Sequence, residues 1–332
     1  MSSRLKAIIQ YVVILCITAF LIWLSLRGLT VKEGTDKWAY LVETWSLADK
    51  KWLLLMAVVS VLSHMVRAVR WKMLLVPTGN SVKASHSFFS LMVVYLVNLV
   101  IPRGGEVSRC YNLFKLSKVP VDVSFGTVVI ERIVDMICLA LLILLAFILE
   151  WNKLLAFLET LSFDTPERPS QVRMILYLAV GGFLVLALLF WMVQRKASWR
   201  SFFLRIWKGF RKGLLSVFQL RQKGLFLFYS LLIWVLYFFM SYSVIMAFPA
   251  TANLGFNAVI SLFGIGSIAM AAPLPGGTGS YHVLVPQGLV FLYDLPLQEA
   301  VALTFIFHGW QTLIMIMGGA FSLVATSILV KR

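Results

Sequence analysis

Uncharged apolar runs separated by short charged loops dominate the hydrophobic pattern of this chain. Several of these runs reach the length of roughly 20 residues that a helix needs to cross a bilayer. The longest stretch without Asp, Glu, Lys or Arg covers residues 224–293. The pattern predicts six membrane-spanning helices, at residues 7–26, 52–76, 123–149, 174–193, 225–248 and 300–330.

Two further apolar segments, residues 85–116 and 254–293, are interrupted in the middle by proline and glycine. Proline removes a backbone donor, and glycine lets the chain turn where a side chain would clash. We expect each segment to return to its own side of the membrane as a re-entrant broken helix. The predicted break residues are Pro102, Gly104 and Gly105 in the first segment and Pro275, Gly276, Gly277 and Gly279 in the second.

The order of these elements repeats itself. Residues 1–150 and residues 174–330 each read as span, span, broken segment and span. Because the first half crosses three times, the second half starts from the opposite side, so the first broken segment opens inward and the second outward. Interrupted segments in corresponding positions of inverted halves indicate a transport site near the midplane. We therefore expect an all-α polytopic membrane protein, a single domain over residues 1–332, built as an inverted repeat.

Charge placement gives the expected orientation. The net charge is +16, and the basic residues collect in short loops beside apolar runs, as the positive-inside rule requires. Residues 195–223 carry nine basic residues and no acidic one, with aromatic residues between them. This pattern predicts an amphipathic helix on anionic lipid headgroups of the inner leaflet, and it argues against a nucleic-acid partner. We expect a cytoplasmic (inner) bacterial membrane, with both termini in the cytoplasm.

Ionisable residues within or beside the apolar segments are the candidate binding residues. Charges at membrane depth are costly and normally meet partners or a wet cavity. We expect a cluster close to the second break. Arg103 and Arg109 are the best phosphate binders, because a guanidinium offers two donors in one plane. A buried ion-pair network, or a loop at the water interface, remains an alternative. The expected cluster comprises Arg103, Glu106, Arg109, Glu131, Arg132 and Asp135.

Neutral replacement of Arg109 is accordingly expected to reduce transport more than folding, and Asp135→Asn mainly to harm folding. His64, Arg67 and Arg70 are interpreted as interface residues.

Uncharged polar residues beside the breaks complete the candidate site. Asn98 precedes the first break, and Tyr281 and His282 follow the second, where they could face the same cavity. A single histidine is also often a helix-packing residue. His308 and Gln311, one turn apart in the last span, are expected to join helices.

No catalytic pattern is recognisable in the sequence. No serine or cysteine accompanies a partnered base, and no glycine-rich phosphate loop is followed by lysine. The three cysteines and four histidines show no disulfide framework and no metal-ligand spacing. We therefore expect neither a metal nor a cofactor, and no soluble enzyme domain.

Three motifs resemble the flippase-like transmembrane region of lysylphosphatidylglycerol synthases and related stand-alone membrane proteins. The first motif is the first break, where Arg103 stands one position away from the family's arginine. The second motif is the pair Glu131-Arg132, which is followed by Asp135. The last is Pro-Gly-Gly-x-Gly, where His282 stands in place of a glutamate, so a carboxylate role does not carry over. The first motif is met by Asn98, Pro102, Arg103, Gly105, Glu106 and Arg109, and the last by Pro275, Gly276, Gly277 and Gly279.

The resemblance extends over nearly the whole chain and implies translocation of a phospholipid or lipid-linked anionic head group between leaflets. It also implies a membrane domain without the aminoacyl-transferring domain of the full-length synthases. Two other functions stay open at this point. Intramembrane enzymes acting on polyprenyl phosphates or phospholipids also use Arg, Glu and His, and a scaffold for a lipid or glycan pathway needs no polar path.

Overall fold

A computed structural model describes residues 36–99, 101, 104–151, 197–272 and 274–331, together with the separate residues 20 and 23. The predicted spans at 7–26 and 174–193 therefore lie outside the described residues, apart from Phe20 and Trp23. Pro102 and Arg103 of the first break also lie outside them. Within the described residues the chain is helical and contains no strand.

Ten α-helices and three short 3₁₀ segments form this part of the chain. The 3₁₀ segments are Val76–Thr78, Leu215–Gln219 and Pro275–Gly277. The α-helices are α1 Lys37–Leu47, α2 Lys50–Leu75, α3 Ala84–Asn98, α4 Gly105–Ser117, α5 Val121–Leu149, α6 Ala197–Leu214, α7 Lys223–Ala247, α8 Gly255–Ala271, α9 Ser280–Tyr293 and α10 Leu297–Lys331.

Four of these helices, α2, α5, α7 and α10, are long and apolar enough to cross a membrane. They coincide with four of the six predicted spans, and the other two fall outside the described residues. Each long helix exposes large apolar side chains, such as Leu141 on α5 and Phe321 on α10. Outward-facing apolar residues are typical of helices in contact with lipid rather than water. The protein is an integral membrane protein with several apolar helices.

Helices α3 and α4 form an antiparallel hairpin around the first break. Near the turn, the side-chain carbonyl of Asn98 accepts a hydrogen bond of 2.9 Å from the backbone N–H of Gly105. At the far end, the Nδ1 atom of His86 lies 2.8 Å from the Oγ atom of Ser117. Asn98 thus satisfies one of the N–H groups that the start of a helix leaves free.

Helices α8 and α9 form a second antiparallel hairpin around the second break. The Oγ atom of Ser280 donates to the carbonyl oxygen of Ala269 at 2.7 Å, and Tyr293 bonds Ser261 at 2.8 Å at the open end. Gly276 and Gly279 have φ angles of +56° and +98°. Residues with a side chain rarely adopt such angles, which explains why the turn needs glycine.

The two hairpins open toward opposite ends of the helix bundle. The open end of α8 and α9 lies with the end of α5, because Tyr293 also donates to Glu150 at 2.7 Å. The open end of α3 and α4 lies with Val76–Thr78, which packs against Leu215–Gln219. We call the latter the basic end, since it carries Lys83, Lys115, Lys118, Arg211, Lys212 and Lys223.

The packing of helices across the two halves of the chain follows a simple pattern. Helix α2 packs along α7, the corresponding helix of the other half. Helix α3 of the first hairpin packs along α10, and α8 of the second hairpin packs along α5. The largest apolar core lies between α2, α7, α8, α9 and α10 and includes Met56, Val244, Leu262 and Val285.

Two details differ from the sequence-based expectation. Residues 27–51, which connect the first two predicted spans, contain a helix, α1, whose Trp45 packs against Trp310 of α10. Helix α10 begins at Leu297, three residues earlier than predicted. The mixed charges of residues 27–51 gave no sign of this helix, because a polar loop and an amphipathic helix at a membrane surface can have the same composition.

Candidate functional site

A fully buried carboxylate, Glu131 on α5, lies at the centre of the ionisable residues. Its Oε1 atom is 2.8 Å from the Nε atom of Arg67, and its Oε2 atom is 2.7 Å from the Nη2 atom of Arg109. Arg70 approaches the Oε1 atom at 3.3 Å. A single carboxylate on α5 therefore joins arginines from α2 and α4, which ties the first hairpin to two long helices.

Asp135 and Glu106 surround this centre. Asp135, one turn after Glu131, lies 2.7 Å from the Nη2 atom of Arg70 and 3.7 Å from Arg132. Glu106 on α4 accepts hydrogen bonds from Arg132 and lies 3.4 Å from the Nε atom of Arg109. We call the whole set the arginine–carboxylate cluster; it consists of Arg67, Arg70, Glu106, Arg109, Glu131, Arg132 and Asp135.

Burial differs sharply within the cluster. The side chains of Arg70, Arg109 and Glu131 are 0% exposed, whereas that of Arg132 is 41% exposed and that of Asp135 is 19% exposed. The Arg109 guanidinium also lies over the ring of Trp71, 4.4 Å from its centroid. The cluster thus has a closed core and an accessible edge.

A polar triad extends the cluster along α2 and α3. The hydroxyl of Tyr95 accepts a hydrogen bond of 2.9 Å from the Nη1 atom of Arg67. The same hydroxyl lies 3.0 Å from the Nδ1 atom of His64. Because an arginine only donates, the phenol proton is free to be donated to the histidine nitrogen.

A cavity of about 390 Å³ lies against the accessible edge of the cluster. Its lining combines charged and polar side chains with aromatic and apolar ones. Helices α2, α3, α5, α7, α8, α9 and α10 all contribute to it. The charged or polar lining residues include His64, Arg67, Tyr95, Arg132, Asp135, Ser241 and Gln311, and the aromatic or apolar ones include Met136, Trp234, Met240, Phe263, Met270, Phe307 and Met315.

The second break reaches this cavity through the residues on either side of it. Met270, Ala271 and Tyr281 line the cavity. The two breaks also meet directly, because a side chain at Gly276 would come within 2.7 Å of a methyl group of Leu99. The Nε2 atom of His308 donates to the carbonyl oxygen of Gly276 at 3.1 Å and holds the turn against α10.

The predicted site residues are brought together only in part. Glu106, Arg109, Glu131, Arg132 and Asp135 form one cluster, and Tyr281 faces the same cavity. Arg103 and Pro102 lie outside the described residues. Asn98 caps α4, and His282 accepts a hydrogen bond of 3.3 Å from the backbone N–H of Gly279.

The interpretation of Arg67, Arg70 and His64 as interface residues is wrong. All three are buried, with exposed fractions of 5%, 0% and 2%. Residues 67–83 contain four basic residues and no acidic one, a composition typical of the inner surface of a membrane. The spacing of these residues indicates a buried helix face, because positions 64, 67 and 70 share one face of α2 and apolar residues continue beyond them.

No metal site is evident in this region. Among the residues that the structure describes, no group of three or more His, Cys, Asp or Glu side chains is arranged to hold a metal ion. The cluster and the cavity beside it offer arginine donors, carboxylate acceptors and aromatic side chains to a ligand.

Comparison with known proteins agrees with this architecture. A family model described as the lysylphosphatidylglycerol synthase TM region matches residues 7–319. A UPF0104 membrane protein from Methanocaldococcus jannaschii is 26% identical over 137 residues, which are 40% of this chain and 36% of that protein. The matched segment thus spans little more than a third of that relative. No solved structure matches the chain. Because the family model covers nearly the whole chain, the protein belongs to the lysylphosphatidylglycerol synthase transmembrane-region family.

Proposed function

We propose that the protein translocates a lipid, or a lipid-linked head group, between the two leaflets of the membrane. The observation that carries this proposal is the cavity between the two halves, whose lining combines charged side chains with aromatic and apolar ones. A lipid presents the same two chemistries, so its head group fits beside Arg132 and Asp135 and its chain beside the aromatic residues.

Access from the lipid phase supports this function. Met136 on α5 and Met270 on α8 both line the cavity, and they are 68% and 44% exposed. We infer that the cavity opens beside these two residues. A lipid chain can stay in the bilayer while the head group enters, which spares the cost of extracting the chain into water.

The arrangement of the halves supports alternating access. We infer an inverted repeat, because the hairpins open to opposite ends and the cross-packing pairs corresponding helices. Rocking of such halves about a fixed site exposes it to each side in turn. The basic end is assigned to the cytoplasm by the positive-inside rule, which places α6 and its exposed Trp207 at the inner leaflet.

Exchange of ion-pair partners gives this site a way to bind and release. Arg132 contacts Glu106 and Asp135 at the accessible edge of the cluster, so an anionic group can replace either carboxylate. Arg109 and Glu131 stay paired behind it and keep the hairpin in place. The favourable free energy of binding then comes from contacts with Arg132, which is partly exposed. The buried ion pairs of the cluster do not have to break.

The decisive experiment is reconstitution into liposomes that contain fluorescently labelled phospholipids or a labelled polyprenyl phosphate. A quencher added outside measures leaflet distribution over time, and chromatography of the same lipids measures chemical conversion. We expect fast redistribution without conversion for the wild type. Arg132→Gln should be at least about tenfold slower, since a hydrogen bond to a charged group is lost.

Lys115→Gln, an exposed change at the basic end, serves as the control and should match the wild type. Conversion of the lipid would favour the intramembrane enzyme instead. Unchanged leaflet distribution across the whole lipid panel, from protein that is folded, would contradict transport of these lipids.

A further inference from the structure

Two charged side chains of the cavity lining, Arg132 and Asp135, each keep one atom open to a ligand. The Nε and Nη2 atoms of Arg132 donate to Glu106, and the Oδ1 atom of Asp135 accepts from Arg70. Within the described part of the chain, the Nη1 atom of Arg132 and the Oδ2 atom of Asp135 make no hydrogen bond. Both atoms have accessible surface, because neither is among the covered atoms that lack a partner.

These two atoms lie side by side. The Nη1 atom of Arg132 is 3.7 Å from the Oδ2 atom of Asp135, which is within ion-pair distance but too long for a hydrogen bond. The two residues are three positions apart on α5, so their side chains leave the same face of the helix. The cavity thus presents a donor and an acceptor of opposite charge to one ligand.

The remaining charge of the lining is already paired. Among the described residues, three charged ones line the cavity, and the third is Arg67. Its Nε and Nη1 atoms donate to Glu131 and Tyr95, and its Nη2 atom is covered. The groups that a ligand can reach are therefore one positive and one negative, and their charges cancel.

A zwitterionic ligand matches this pair of groups. An anionic oxygen accepts from Arg132 and an ammonium N–H donates to Asp135, and hydrogen bonds between charged groups are the stronger kind. A purely anionic ligand leaves the carboxylate without a donor, and an unpaired charge inside a membrane protein is costly. Aromatic rings of the same lining also favour a cation; they include Trp234, Tyr237 and Phe263, which pack on one another.

The size of the cavity favours a compact head group. Its volume of about 390 Å³ lies near the lower end of the roughly 300–1,000 Å³ that is typical of small-molecule sites. A whole phospholipid with two acyl chains is larger, whereas a head group enters alone. Phosphoethanolamine is such a group, since a short linker joins its phosphate to its ammonium.

We propose that Arg132 and Asp135 bind the phosphoethanolamine head group of a zwitterionic phospholipid. This rests on the proposed function and names its substrate class. The phosphate accepts from the Nη1 atom of Arg132, and the ammonium donates to the Oδ2 atom of Asp135. The hydrogen bonds of these residues to Glu106 and Arg70 stay in place. A quaternary ammonium has no N–H group and cannot make the second contact.

Native mass spectrometry of the protein in neutral maltoside detergent tests the site with three lysophospholipids of one acyl chain. Lysophosphatidylethanolamine carries the proposed head group. Lysophosphatidylcholine has the same charges without an ammonium N–H, and lysophosphatidic acid has the phosphate alone. We expect one saturable adduct of the ethanolamine lipid. Binding of the other two should be about tenfold weaker or more, because a hydrogen bond to a charged group is missing.

Two substitutions separate the two contacts. Arg132→Gln should weaken binding of the ethanolamine and choline lipids alike, about tenfold or more, because both lose the phosphate contact. Asp135→Asn should remove most of the preference for ethanolamine over choline. A purely structural role of Asp135 would instead weaken all three probes equally and would overturn the contact.

Matched controls come from exposed residues outside the lining. Arg221→Gln and Asp36→Asn make the same chemical changes there and should bind like the wild type. Lysophosphatidic acid also adsorbs to basic surfaces such as that of α6. Its binding to the cavity is therefore the part that Arg132→Gln removes.

Equal binding of the ethanolamine and choline lipids by the wild type would overturn the site, and this comparison needs no variant that folds poorly. Binding of lysophosphatidic acid that depends on Arg132 and is as tight as that of the ethanolamine lipid would also overturn it. Binding is measured without transport, so the two proposals fail separately. Protein that moves lipids in liposomes without distinguishing these head groups keeps the proposed function and loses the site. Protein that distinguishes them but moves no lipid does the reverse.

Discussion

At the scale of single residues, Glu131 determines how the charged groups of this protein are tolerated. It is fully buried, and three arginines surround it. Removing one partner from a buried ion pair typically costs about 3–5 kcal/mol, because the other charge is left uncompensated. The closed core of the cluster therefore contributes to folding, while its accessible edge is available for a ligand.

Arg109→Gln should consequently destabilise the protein by about 3 kcal/mol or more, since Glu131 loses a bonded charge and Trp71 loses its cation. Arg132→Gln makes the same chemical change at a side chain that is 41% exposed, and should cost about 1 kcal/mol or less. Thermal unfolding in detergent measures both. Equal losses in the two variants would contradict the division into core and edge.

This prediction reverses part of the expectation drawn from the sequence. The sequence predicted that Arg109 and five other charged residues would cluster, because isolated charges in a membrane are costly. It also suggested a transport role for Arg109, which the burial and pairing of that side chain do not favour. The carboxylate partners of Arg67 and Arg70 lie more than sixty positions away in the chain. Such distant pairing leaves no local pattern to read.

At the scale of helices and turns, proline and glycine predicted both breaks, and apolar length predicted the long helices. The details of the turns depend on contacts that sequence spacing does not contain. The capping of Gly105 by Asn98 and the contact between Leu99 and Gly276 both require the folded hairpins. Helix α1 was not predicted, because packing of Trp45 against α10 stabilises it and the hydrophobic pattern of its own sequence does not.

Helices α5 and α6 approach each other so closely that their backbones touch. A side chain at Gly126 would collide with the carbonyl oxygen of Phe210, and one at Gly213 with that of Val123. Small residues at such contacts allow close helix packing in membrane proteins. The basic helix α6 is therefore attached to the membrane-spanning helix α5 by close glycine contacts.

Gly126→Ala should lower the free energy of unfolding by about 1–3 kcal/mol, because neither backbone can move away without losing other contacts. Gly309→Ala is the matched control, since Gly309 also lies within a long helix but has open space around it. That change should be neutral or stabilising by up to about 1 kcal/mol, as alanine favours helix. Circular dichroism during heating compares the two variants. A larger loss at Gly309 would refute the close contact.

At the scale of the whole molecule, two features predict the same orientation of the protein in the membrane. The two hairpins open to opposite ends of the bundle, and basic and acidic residues collect at opposite ends. The basic end gathers lysines and arginines of α4, α6 and the turns between helices, whereas the opposite end carries Asp36, Glu43, Asp49, Asp294 and Glu299 beside fewer lysines. Because basic loops are retained in the cytoplasm, we infer that the first hairpin opens inward and the second outward.

Cysteine labelling of intact cells tests this orientation with exposed sites on the described helices and turns. In a background with Cys16, Cys110 and Cys138 replaced by alanine, Glu43→Cys and Asn253→Cys should react with a membrane-impermeant maleimide. Lys115→Cys and Gln219→Cys, at the basic end, should react only after the cells are permeabilised. Labelling of a site from each pair in intact cells would contradict the two-ended arrangement. Reaction of the basic-end pair alone would invert the protein in the membrane, and the direction of transport with it, because each hairpin would then open to the other side.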